Sequence, residues 1–469
     1  MAHHEPRAMA EKQQQQHFLI VTYPAQGHVT PARHLARRLA GAAPGARATV
    51  CAPLSAFRRM FPGATAAGEE KGDDGVAYVA YSDGYDGGFD SAVDSYARYM
   101  ERAREAGSRS LAGVLRGLRD GGRPVTCAVY TLLLPWVSAV ARGHGVPATA
   151  AVAAAAASGD PRAEVRLPGL PPLRVRDLPS FLAITSDDDP FAFVLPEFRE
   201  LVDALERDGS SKPPTYVLAN TFDAMEPDAL EALRPHVDVF AVGPVLSFLH
   251  DAKIGTSRHR DLFEHAGEGY LDWMDTKPAK SVVYISFGSS SVMSRKQVAE
   301  IADAMARIKK PFLWVLRKDN CKNHEDDAAI KKLAMDSGGD GMVVEWCDQA
   351  RVLSHPSVAC FVTHCGWNSA LESAACGVPT VAAPQYSDQG TAAWLVAERM
   401  GTGVRAAARE EDGVVEAAEL RRCVEAATAE AVIARAVAWR ERARAAVADG
   451  GSSDRNLKEF LRQIADGGN

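Results

Sequence analysis

The sequence lacks a long apolar run, an excess of basic residues and any paired cysteine motif. No stretch approaches the roughly 18 apolar residues that a membrane-spanning helix requires. The 53 Lys and Arg residues are outnumbered by 60 Asp and Glu residues, which gives a net charge of -7. This charge argues against a nucleic-acid partner, whose phosphates need a basic surface. It does not argue against a small anionic ligand, because a helix N-terminus binds phosphate without net positive charge.

The eight cysteines are scattered, and no two of them form a CxxC pair. This arrangement is typical of a cytoplasmic protein with reduced thiols. A metal site is not expected, because His364 and Cys365 are adjacent instead of being spaced as zinc ligands are. Residues 1–16 are polar and the FLIV that follows is too short for a signal peptide, so residues 1–16 are predicted to be a disordered tail.

The sequence does contain two series of short apolar runs that alternate with helical patterns. A chain of 469 residues exceeds the usual size of a single core, which predicts two domains. In the first series, strands are predicted at 18–21, 47–53, 75–81 and 126–134, and a helix at 91–119. In the second, strands are predicted at 281–289, 311–317, 341–346, 359–364 and 379–384, and Ser294 is predicted to cap a helix. Alternation of this kind indicates an α/β fold with parallel, doubly wound sheets.

The periodic pattern is lost near 245–270, which predicts the join between the two domains. We expect an N-terminal domain over 17–250, a C-terminal domain over 251–450 and a final helix over 451–469 that packs back on the N-terminal domain. The cleft between two such domains is the expected ligand site. The alanine-rich and then proline-rich segment at 151–181 predicts no firm structure, although its alanines permit a short helix.

Polar and aromatic residues are densest in the segment 346–389. A strand is predicted to end at His364 and a helix to begin near Asn368. The free N–H groups of Asn368 and Ser369 at that helix start would bind a phosphate. Glu372 follows one turn later on the same face, in position for a ribose hydroxyl.

Two aromatic and polar residues precede that helix. Trp346 at the end of the preceding strand could stack on a base, and Gln349 could reach the same sugar. Taken singly, an Asn-Ser pair at a helix start is ordinarily a cap, and a lone Trp ordinarily belongs to a core. The prediction of a nucleotide site depends on their occurrence together in one strand–loop–helix unit.

This segment resembles the signature box of the plant family 1 UDP-sugar glycosyltransferases, from its opening Trp to its closing Gln. The HCGWNS core, the Glu four residues after the Asn and the closing Asp-Gln pair are all present. The resemblance extends over most of the chain, including YPAQGHVTP, YSDGYDGGFD and YLDWMDTKPAKSVVYISFGS. It implies the GT-B fold, in which two Rossmann-like domains face a cleft and the C-terminal one binds most of the nucleotide sugar.

The resemblance also implies a role for each matching residue. Trp346 would stack on uracil, Gln349 and Glu372 would hold the ribose, and the pyrophosphate would be bound by His364, Asn368, Ser369 and Ser289. The complete set implied to bind UDP is Ser289, Trp346, Cys347, Gln349, His364, Asn368, Ser369 and Glu372. The set implied to contact the sugar is Trp367, Asp388 and Gln389. A closing Gln favours UDP-glucose over UDP-galactose as the donor. The sequence departs slightly from the family at Cys347, Tyr386 and Gly390.

His28 resembles the catalytic base of the family. A loop histidine considered alone more often lies at the surface or has its hydrogen bonds satisfied within the protein. The AQGHVTP match reverses that interpretation. A neutral imidazole would take the proton from an acceptor hydroxyl as its oxygen attacks the anomeric carbon. UDP would leave from the opposite face, its charge held by the helix start at Asn368 and by His364. The reaction would be a single inverting displacement that needs no metal and no other cofactor.

Thr131 is the main departure from the family, whose members usually carry an Asp at this position to orient the histidine. A hydroxyl can accept a hydrogen bond from His28, but it does not stabilise an imidazolium as a carboxylate does. Asp120 is the nearest acid upstream, and it is expected in a loop at the end of the strand away from the cleft. Either another polar group assists His28, or the base works unassisted.

The acceptor half is also short, over 148–168, where the family has an aromatic-containing segment. This predicts a more open acceptor site or impaired activity. The run Asp187-Asp188-Asp189 resembles the metal-binding acids of the other glycosyltransferase fold, but no apolar strand precedes it, so a solvated turn is predicted.

The leading hypothesis is an inverting O-glucosyltransferase that moves glucose from UDP-glucose to a hydroxyl or carboxyl of a small lipophilic acceptor. Phenolic or carboxylic hormones, other secondary metabolites and trichothecene-type toxins are all candidate acceptors. We expect a cytoplasmic monomer with no nucleic-acid partner and no membrane segment. The alternative is a UDP-sugar or metabolite-binding protein of the same fold whose catalysis is impaired.

Overall fold

A computed structural model shows two sheets whose strands alternate along the chain with helices. It describes residues 16–73, 75–151, 162–186, 188–189, 191–208, 216–249, 262, 269–317 and 340–466. Eight strands form the N-terminal sheet and six form the C-terminal sheet. Strand pairs in both sheets are parallel except for one antiparallel edge pair, Glu70–Asp73 with Val76–Tyr81. The predicted α/β class is confirmed.

The N-terminal sheet contains strands from most of the first half of the chain. Its strands are β1 His17–Val21, β2 Arg47–Pro53, β3 Glu70–Asp73, β4 Val76–Tyr81, β5 Cys127–Thr131, β6 Ala148–Ala151, β9 Tyr216–Ala219 and β10 Asp238–Ala241. Their order in the sheet is β10-β9-β6-β5-β1-β2-β4-β3. A separate hairpin consists of β7 Glu164–Val165 and β8 Leu173–Arg174. The helices of this half are α1 Gln26–Gly41, α2 Leu54–Met60, α3 Tyr96–Asp120, α4 Trp136–Gly143, α5 Leu195–Asp208 and α6 Pro227–Leu233.

The C-terminal sheet is built in the same way from the second half. Its strands are β11 Val282–Ser286, β12 Phe312–Val315, β13 Gly341–Val344, β14 Val358–Thr363, β15 Thr380–Ala382 and β16 Gly403–Arg405. Their order in the sheet is β13-β12-β11-β14-β15-β16. The helices of this half are α7 Gly269–Asp275, α8 Arg295–Ile308, α9 Gln349–Leu353, α10 Trp367–Cys376, α11 Gln389–Trp394, α12 Ala417–Ala427, α13 Glu430–Val447 and α14 Ser452–Asp466.

Both sheets are covered on their two faces, which explains why their central strands are uninterrupted apolar runs. In β1, Phe18 and Ile20 pack into one hydrophobic cluster, and Leu19 and Val21 pack into another on the opposite face. Successive side chains of a strand point to opposite sides, so a strand buried on both faces needs apolar residues at every position. The central strand of the C-terminal sheet, β11, follows the same rule.

Several predicted bounds were too wide. Helix α3 begins at Tyr96 and not at residue 91, because the Ser95 side chain caps it by accepting a hydrogen bond from the Arg98 N–H. Strand β13 pairs with β12 only as far as Val344, so Trp346 lies in the loop beyond the strand instead of ending it. The predicted cap of α8 by Ser294 is confirmed, since its side chain accepts a hydrogen bond from the Gln297 N–H.

The last helix, α14, packs on the N-terminal sheet. Phe460 is fully buried in the cluster that contains Phe18, and its ring lies 5.7 Å from Phe240 and 5.8 Å from Tyr216 between centroids. The chain therefore crosses from the C-terminal sheet back to the N-terminal one. The predicted domain boundaries at 250 and 450 stay predictions.

Parts of the sequence-based predictions fall outside the described residues. These are the tail apart from residue 16, most of the alanine-rich stretch, Asp187 and the start of the predicted C-terminal domain. Among the helices that the structure describes, none is both long and apolar enough to cross a membrane.

Replacement of Phe460 by Ala should lower the free energy of unfolding by about 3–5 kcal/mol, the usual cost of a deleted core aromatic ring. Lys458→Ala on the same helix is the control. Lys458 is exposed and its ion pairs with Asp449 and Asp454 lie at the surface, so a change of at most about 1 kcal/mol is expected. Chemical denaturation measures both values. Equal effects of the two changes would contradict this packing of α14.

Candidate active site

The first part of the site is the turn between β1 and α1. His28 is the third residue of α1, which follows a four-residue turn. Its half-buried imidazole lies against the Tyr23 ring, with 5.3 Å between centroids. Burial lowers the pKa of His28 to about 4, so the ring is neutral at any pH well above that value.

The motif YSDGYDGGFD supports the wall beside His28. Asp83 is buried, and its carboxylate accepts hydrogen bonds from the Tyr99 hydroxyl at 3.0 Å and from the Tyr85 N–H at 2.9 Å. The Tyr99 ring meets the Tyr23 ring edge-on at 5.8 Å. The buried carboxylate thus fixes one tyrosine, which packs against the tyrosine that contacts His28.

Thr131 ends β5, the neighbour of β1 in the sheet. Its Oγ1 atom is buried and has no hydrogen-bond partner within the described structure. The hydrogen bond from His28 that a hydroxyl here could accept is therefore not formed. Asp120, considered as a substitute acid, is the exposed last residue of α3 and not part of a loop.

The second part of the site follows β11 and β14 of the C-terminal sheet. His364 comes directly after β14 and packs between two glycines. A Cβ atom built on Gly288 would lie 2.6 Å from the His364 ring, and one on Gly366 would lie 2.7 Å from it. Gly288 also has a φ of 74°, which favours glycine. Ser289 is the next residue of this loop, so its position depends on the same close packing.

His364 is held as a neutral donor. Burial lowers its pKa to about 4, and the positive charge of Arg317 adds to the shift. Its Nδ1 atom lies 3.2 Å from the Thr363 hydroxyl, which already accepts a hydrogen bond from the Cys365 N–H. The neutral ring carries one N–H that can donate, and the Thr363 hydroxyl can pair with Nδ1 either as donor or as acceptor.

Helix α10 provides the start that the sequence predicts, although it begins one residue earlier than expected, at Trp367 with Gly366 as its cap. Gln349 donates hydrogen bonds to Glu372 at 2.6 Å and to Ser369 at 3.1 Å. Its amide oxygen accepts from the Tyr284 hydroxyl at 3.2 Å. The side chains predicted to hold the ribose therefore lie together and orient one another.

The residues predicted to contact the sugar also lie together. The Asp388 carboxylate accepts a hydrogen bond from the Trp367 backbone, and burial raises its pKa. The side-chain oxygen of Gln389 accepts from the backbone N–H groups of Gln385 at 2.8 Å and Tyr386 at 3.2 Å. With that oxygen occupied, the amide NH₂ of Gln389 is the end left to donate elsewhere.

Two hydrogen bonds join the C-terminal helix start to the N-terminal half. The Asn368 side chain donates to the carbonyl of Gly27 at 3.0 Å, directly before His28. The Trp367 indole donates to the carbonyl of Asn220 at 2.8 Å. The distance between His28 and the start of α10 is therefore set by direct contact.

A cavity of about 2060 Å³ lies between the two halves, and every residue predicted for the site lines it. From the N-terminal half these are His28 and Thr131. From the C-terminal half they are Ser289, Trp346, Cys347, Gln349, His364, Trp367, Asn368, Ser369, Glu372, Asp388 and Gln389. Within the described ranges, no group of three His, Cys, Asp or Glu residues could hold a metal ion.

Comparison with known proteins identifies the family. The family model for UDP-glucoronosyl and UDP-glucosyl transferase matches residues 249–424. UDP-glycosyltransferase 75C1 of Solanum lycopersicum is 42% identical over 96% of this chain and 99% of its own length. The chain belongs to the UDP-glycosyltransferase family.

Two further comparisons agree with that assignment. Phloretin 4'-O-glucosyltransferase of Malus domestica is 40% identical over 96% of this UDP-glycosyltransferase and 98% of its own length. The crystal structure of Os79 from O. sativa in complex with UDP has a TM-score of 0.80 and 27% identity, covering 95% of this chain and 100% of that one. The GT-B fold implied by the resemblance is confirmed.

Sequence reasoning missed several residues that build the glycosyltransferase site. Arg317 is buried and donates to the carbonyls of Gly288 and Ser291, so it holds the loop that bears Ser289. Gly27 and Asn220 contribute only backbone carbonyls, which give no signal in a sequence. Arg317 after an apolar strand was the one signal of these residues visible in the sequence, and its charge alone does not reveal which carbonyls it binds.

The acidic run at 187–189 does not enter the site as far as it is described. Asp188 is exposed, and the Asp189 side chain accepts a hydrogen bond from the Phe191 N–H at 2.8 Å. Neither residue lines the cavity. Asp187 lies outside the described residues.

Gly288→Ala should weaken UDP binding, because the new methyl group would displace His364 from its place between the glycines. We expect the dissociation constant for UDP to rise at least about tenfold, the equivalent of one lost charge-assisted hydrogen bond. Gly413→Ala is a matched control, since Gly413 has a φ of 70° but a Cβ atom added there would meet nothing within 4 Å. Calorimetric titration that gave both variants the affinity of the unchanged protein would contradict this account.

Proposed function

We propose that this protein is an inverting O-glucosyltransferase that transfers glucose from UDP-glucose to a small lipophilic acceptor. The observation that carries the proposal is the shared cavity in which His28 faces the helix start and the side chains predicted to bind a nucleotide sugar. The relatives are named glucosyltransferases, which favours catalysis over the alternative of a binding protein with impaired activity.

The N-terminal side of the cavity suits an apolar acceptor. Ten aromatic rings line it there, those of Tyr23, Phe89, Tyr96, Tyr99, Tyr130, Phe181, Phe191, Phe193, Phe198 and Phe248. Aromatic rings bury planar, apolar molecules well. Phenolic metabolites and related lipophilic compounds are therefore the acceptor class we propose. The relative from Malus domestica is named for phloretin, which is consistent with that class.

His28 is proposed to act as the general base. Because burial lowers its pKa to about 4, it is neutral near pH 7 and ready to accept a proton. As the acceptor oxygen attacks the anomeric carbon, the acceptor proton moves to His28, and the bond from that carbon to the UDP oxygen breaks on the opposite face. The anomeric configuration is inverted by this single displacement.

The charge that develops on UDP is proposed to be received by the C-terminal half. The N–H groups of Asn368 and Ser369 at the start of α10 and the ring N–H of His364 would be donors that need no reorganisation during the reaction. Gln349 and Glu372 would hold the ribose, Trp346 the uracil, and Trp367, Asp388 and Gln389 the glucose. A metal ion is not needed for this charge distribution, and we propose that the reaction proceeds without one.

The cellular setting is proposed from the same residues. All seven cysteines that the structure describes are free, which favours a reducing compartment such as the cytoplasm. Both halves of the site come from one chain, so a monomer is sufficient for activity. The net charge of -7 argues against a nucleic-acid partner.

Incubation with UDP-glucose and a panel of phenols, carboxylic acids and terpenoid alcohols tests the function directly. We expect mass spectrometry to detect a glucoside of at least one phenol, and we expect EDTA to leave its rate unchanged. Absence of every glucoside, with UDP binding retained, would overturn the proposal in favour of a binding protein.

His28→Ala should lower kcat by about 10² to 10⁴-fold, the usual contribution of a general base. The affinity for UDP should change less than about twofold, because His28 lies on the acceptor side of the cavity. In the unchanged enzyme, kcat/KM should hold as the pH falls through 6.5 and should drop only near pH 4, where His28 becomes protonated. An acid limb near 6.5, or a large loss of UDP affinity in the variant, would refute this role.

Thr131 is tested by two substitutions. Thr131→Asp should raise the pKa of His28, since a nearby carboxylate favours the imidazolium. It should therefore move the acid limb to higher pH while keeping or raising activity at neutral pH. Thr131→Val removes a hydroxyl that has no described partner, so stability should be unchanged or higher. A strong drop in activity of the Asp variant would show that Thr131 shapes the acceptor pocket instead.

A further inference from the structure

The proline-rich segment for which the sequence predicts no firm structure crosses the cleft. It contains the hairpin of β7 and β8, then a short 3-10 turn at Val175–Asp177, and it continues through Pro179. Residues 174–180 of this segment contact the C-terminal half. We refer to residues 174–180 as the cleft strap.

An ion pair fastens the cleft strap to β16. The Arg405 guanidinium donates to the Asp177 carboxylate at 2.5 Å and to the Arg176 carbonyl at 2.9 Å. Asp177 is only 5% exposed, and its second oxygen accepts a hydrogen bond from the Arg174 N–H at 3.0 Å. Because a buried carboxylate without its partner is costly, this contact strongly favours one arrangement.

The cleft strap also pairs with the loop before α11. The Ser180 N–H donates to the Ser387 carbonyl at 2.9 Å, and the Ser387 N–H donates to the Ser180 hydroxyl at 2.7 Å. Ser387 has a φ of 61°, a left-handed conformation that L residues rarely adopt and that its surroundings must hold. Asp388 and Gln389 follow at once, so these bonds fix the chain that carries them.

Gly390 shows how close the contact is. A Cβ atom on Gly390 would lie 2.6 Å from the Arg176 carbonyl oxygen and 3.1 Å from that of Leu178. Only glycine allows the cleft strap to lie directly on the start of α11. This accounts for Gly390, one of the positions at which the sequence departs from the family.

We propose that the cleft strap positions Asp388 and Gln389 against the transferred sugar, with the Asp177–Arg405 pair as its main contact. The inference rests on the proposed function of Asp388 and Gln389 as sugar ligands. Leu178 and Pro179 also line the cavity, so the segment that holds the sugar-binding loop forms part of the acceptor wall. Asp177 and Arg405 act through the loop and are positioning residues.

Asp177→Asn removes the charge with little change of shape, and titration calorimetry with UDP and with UDP-glucose tests the effect. We expect the dissociation constant for UDP-glucose to rise about tenfold, as when one ligand hydrogen bond is misplaced, and that for UDP to change less than about twofold. Asp228→Asn is the matched control, because Asp228 pairs with Arg399 across the two halves at 2.8 Å and lies outside the cavity lining. It should change neither constant.

Gly390→Ala is a second variant, which approaches the same contact from the other side. Alanine favours a helix more than glycine does, so a loss of fold is not expected, and a thermal melt checks it. The variant should raise the dissociation constant for UDP-glucose more than that for UDP, as is expected for Asp177→Asn. The proposed role of the cleft strap would be overturned if the dissociation constants of both ligands rose equally or if neither rose. It would also be overturned if Asp228→Asn raised the constant for UDP-glucose more than that for UDP.

These measurements need no turnover, which separates the inference from the proposed function. If the unchanged protein forms no glucoside with any acceptor, the proposed function fails whatever the two dissociation constants do. If it forms a glucoside while Asp177→Asn and Gly390→Ala leave the ratio of the dissociation constants for UDP and UDP-glucose unchanged, the inference about the cleft strap is wrong and the proposed function stands. With turnover present, Asp177→Asn is expected to raise the KM for UDP-glucose.

Discussion

The hydrogen bond from the Asn368 side chain to the Gly27 carbonyl is the contact on which the site geometry depends. It joins the start of α10 to the turn that carries His28, at a distance of 3.0 Å. Each group lies in a helix that follows a strand of a different sheet, and the carboxyl ends of these strands face the same cavity. The contact therefore places His28 and the start of α10 on opposite sides of one cavity, as the proposed displacement requires.

Burial keeps two histidines that line the cavity, His28 and His364, in the neutral form. The pKa values of His28 and His364 are both lowered to about 4, so neither carries charge near neutral pH. A neutral His28 has the free lone pair that a general base needs, but the same burial disfavours the imidazolium, and the Thr131 hydroxyl does not offset that cost. The neutral His364 and the start of α10 are the groups proposed to receive the charge on UDP.

Much of the fold and site could be predicted from residue patterns. The uninterrupted apolar runs of β1 and β11 follow from burial on both faces, and the side-by-side placement of Asn368 and Glu372 follows from helical spacing. The apolar run predicts that Trp346 ends a strand, but pairing in β13 stops at Val344 because the neighbouring strand ends. Strand ends depend on the partner, and the partner is not visible in a local pattern.

The sequence by itself determined the fold class, the family and thirteen residues that line the cavity, because these depend on local periodicity and on motifs that lie within single strand–loop–helix units. Only the tertiary structure decided how the halves meet. Backbone carbonyls have the same chemistry in every residue, so the sequence does not mark those of Gly27, Asn220 and Arg176 as hydrogen-bond partners. The close approach at Gly390, and the lack of a partner for the Thr131 hydroxyl among the described residues, likewise exist only once distant segments share one space.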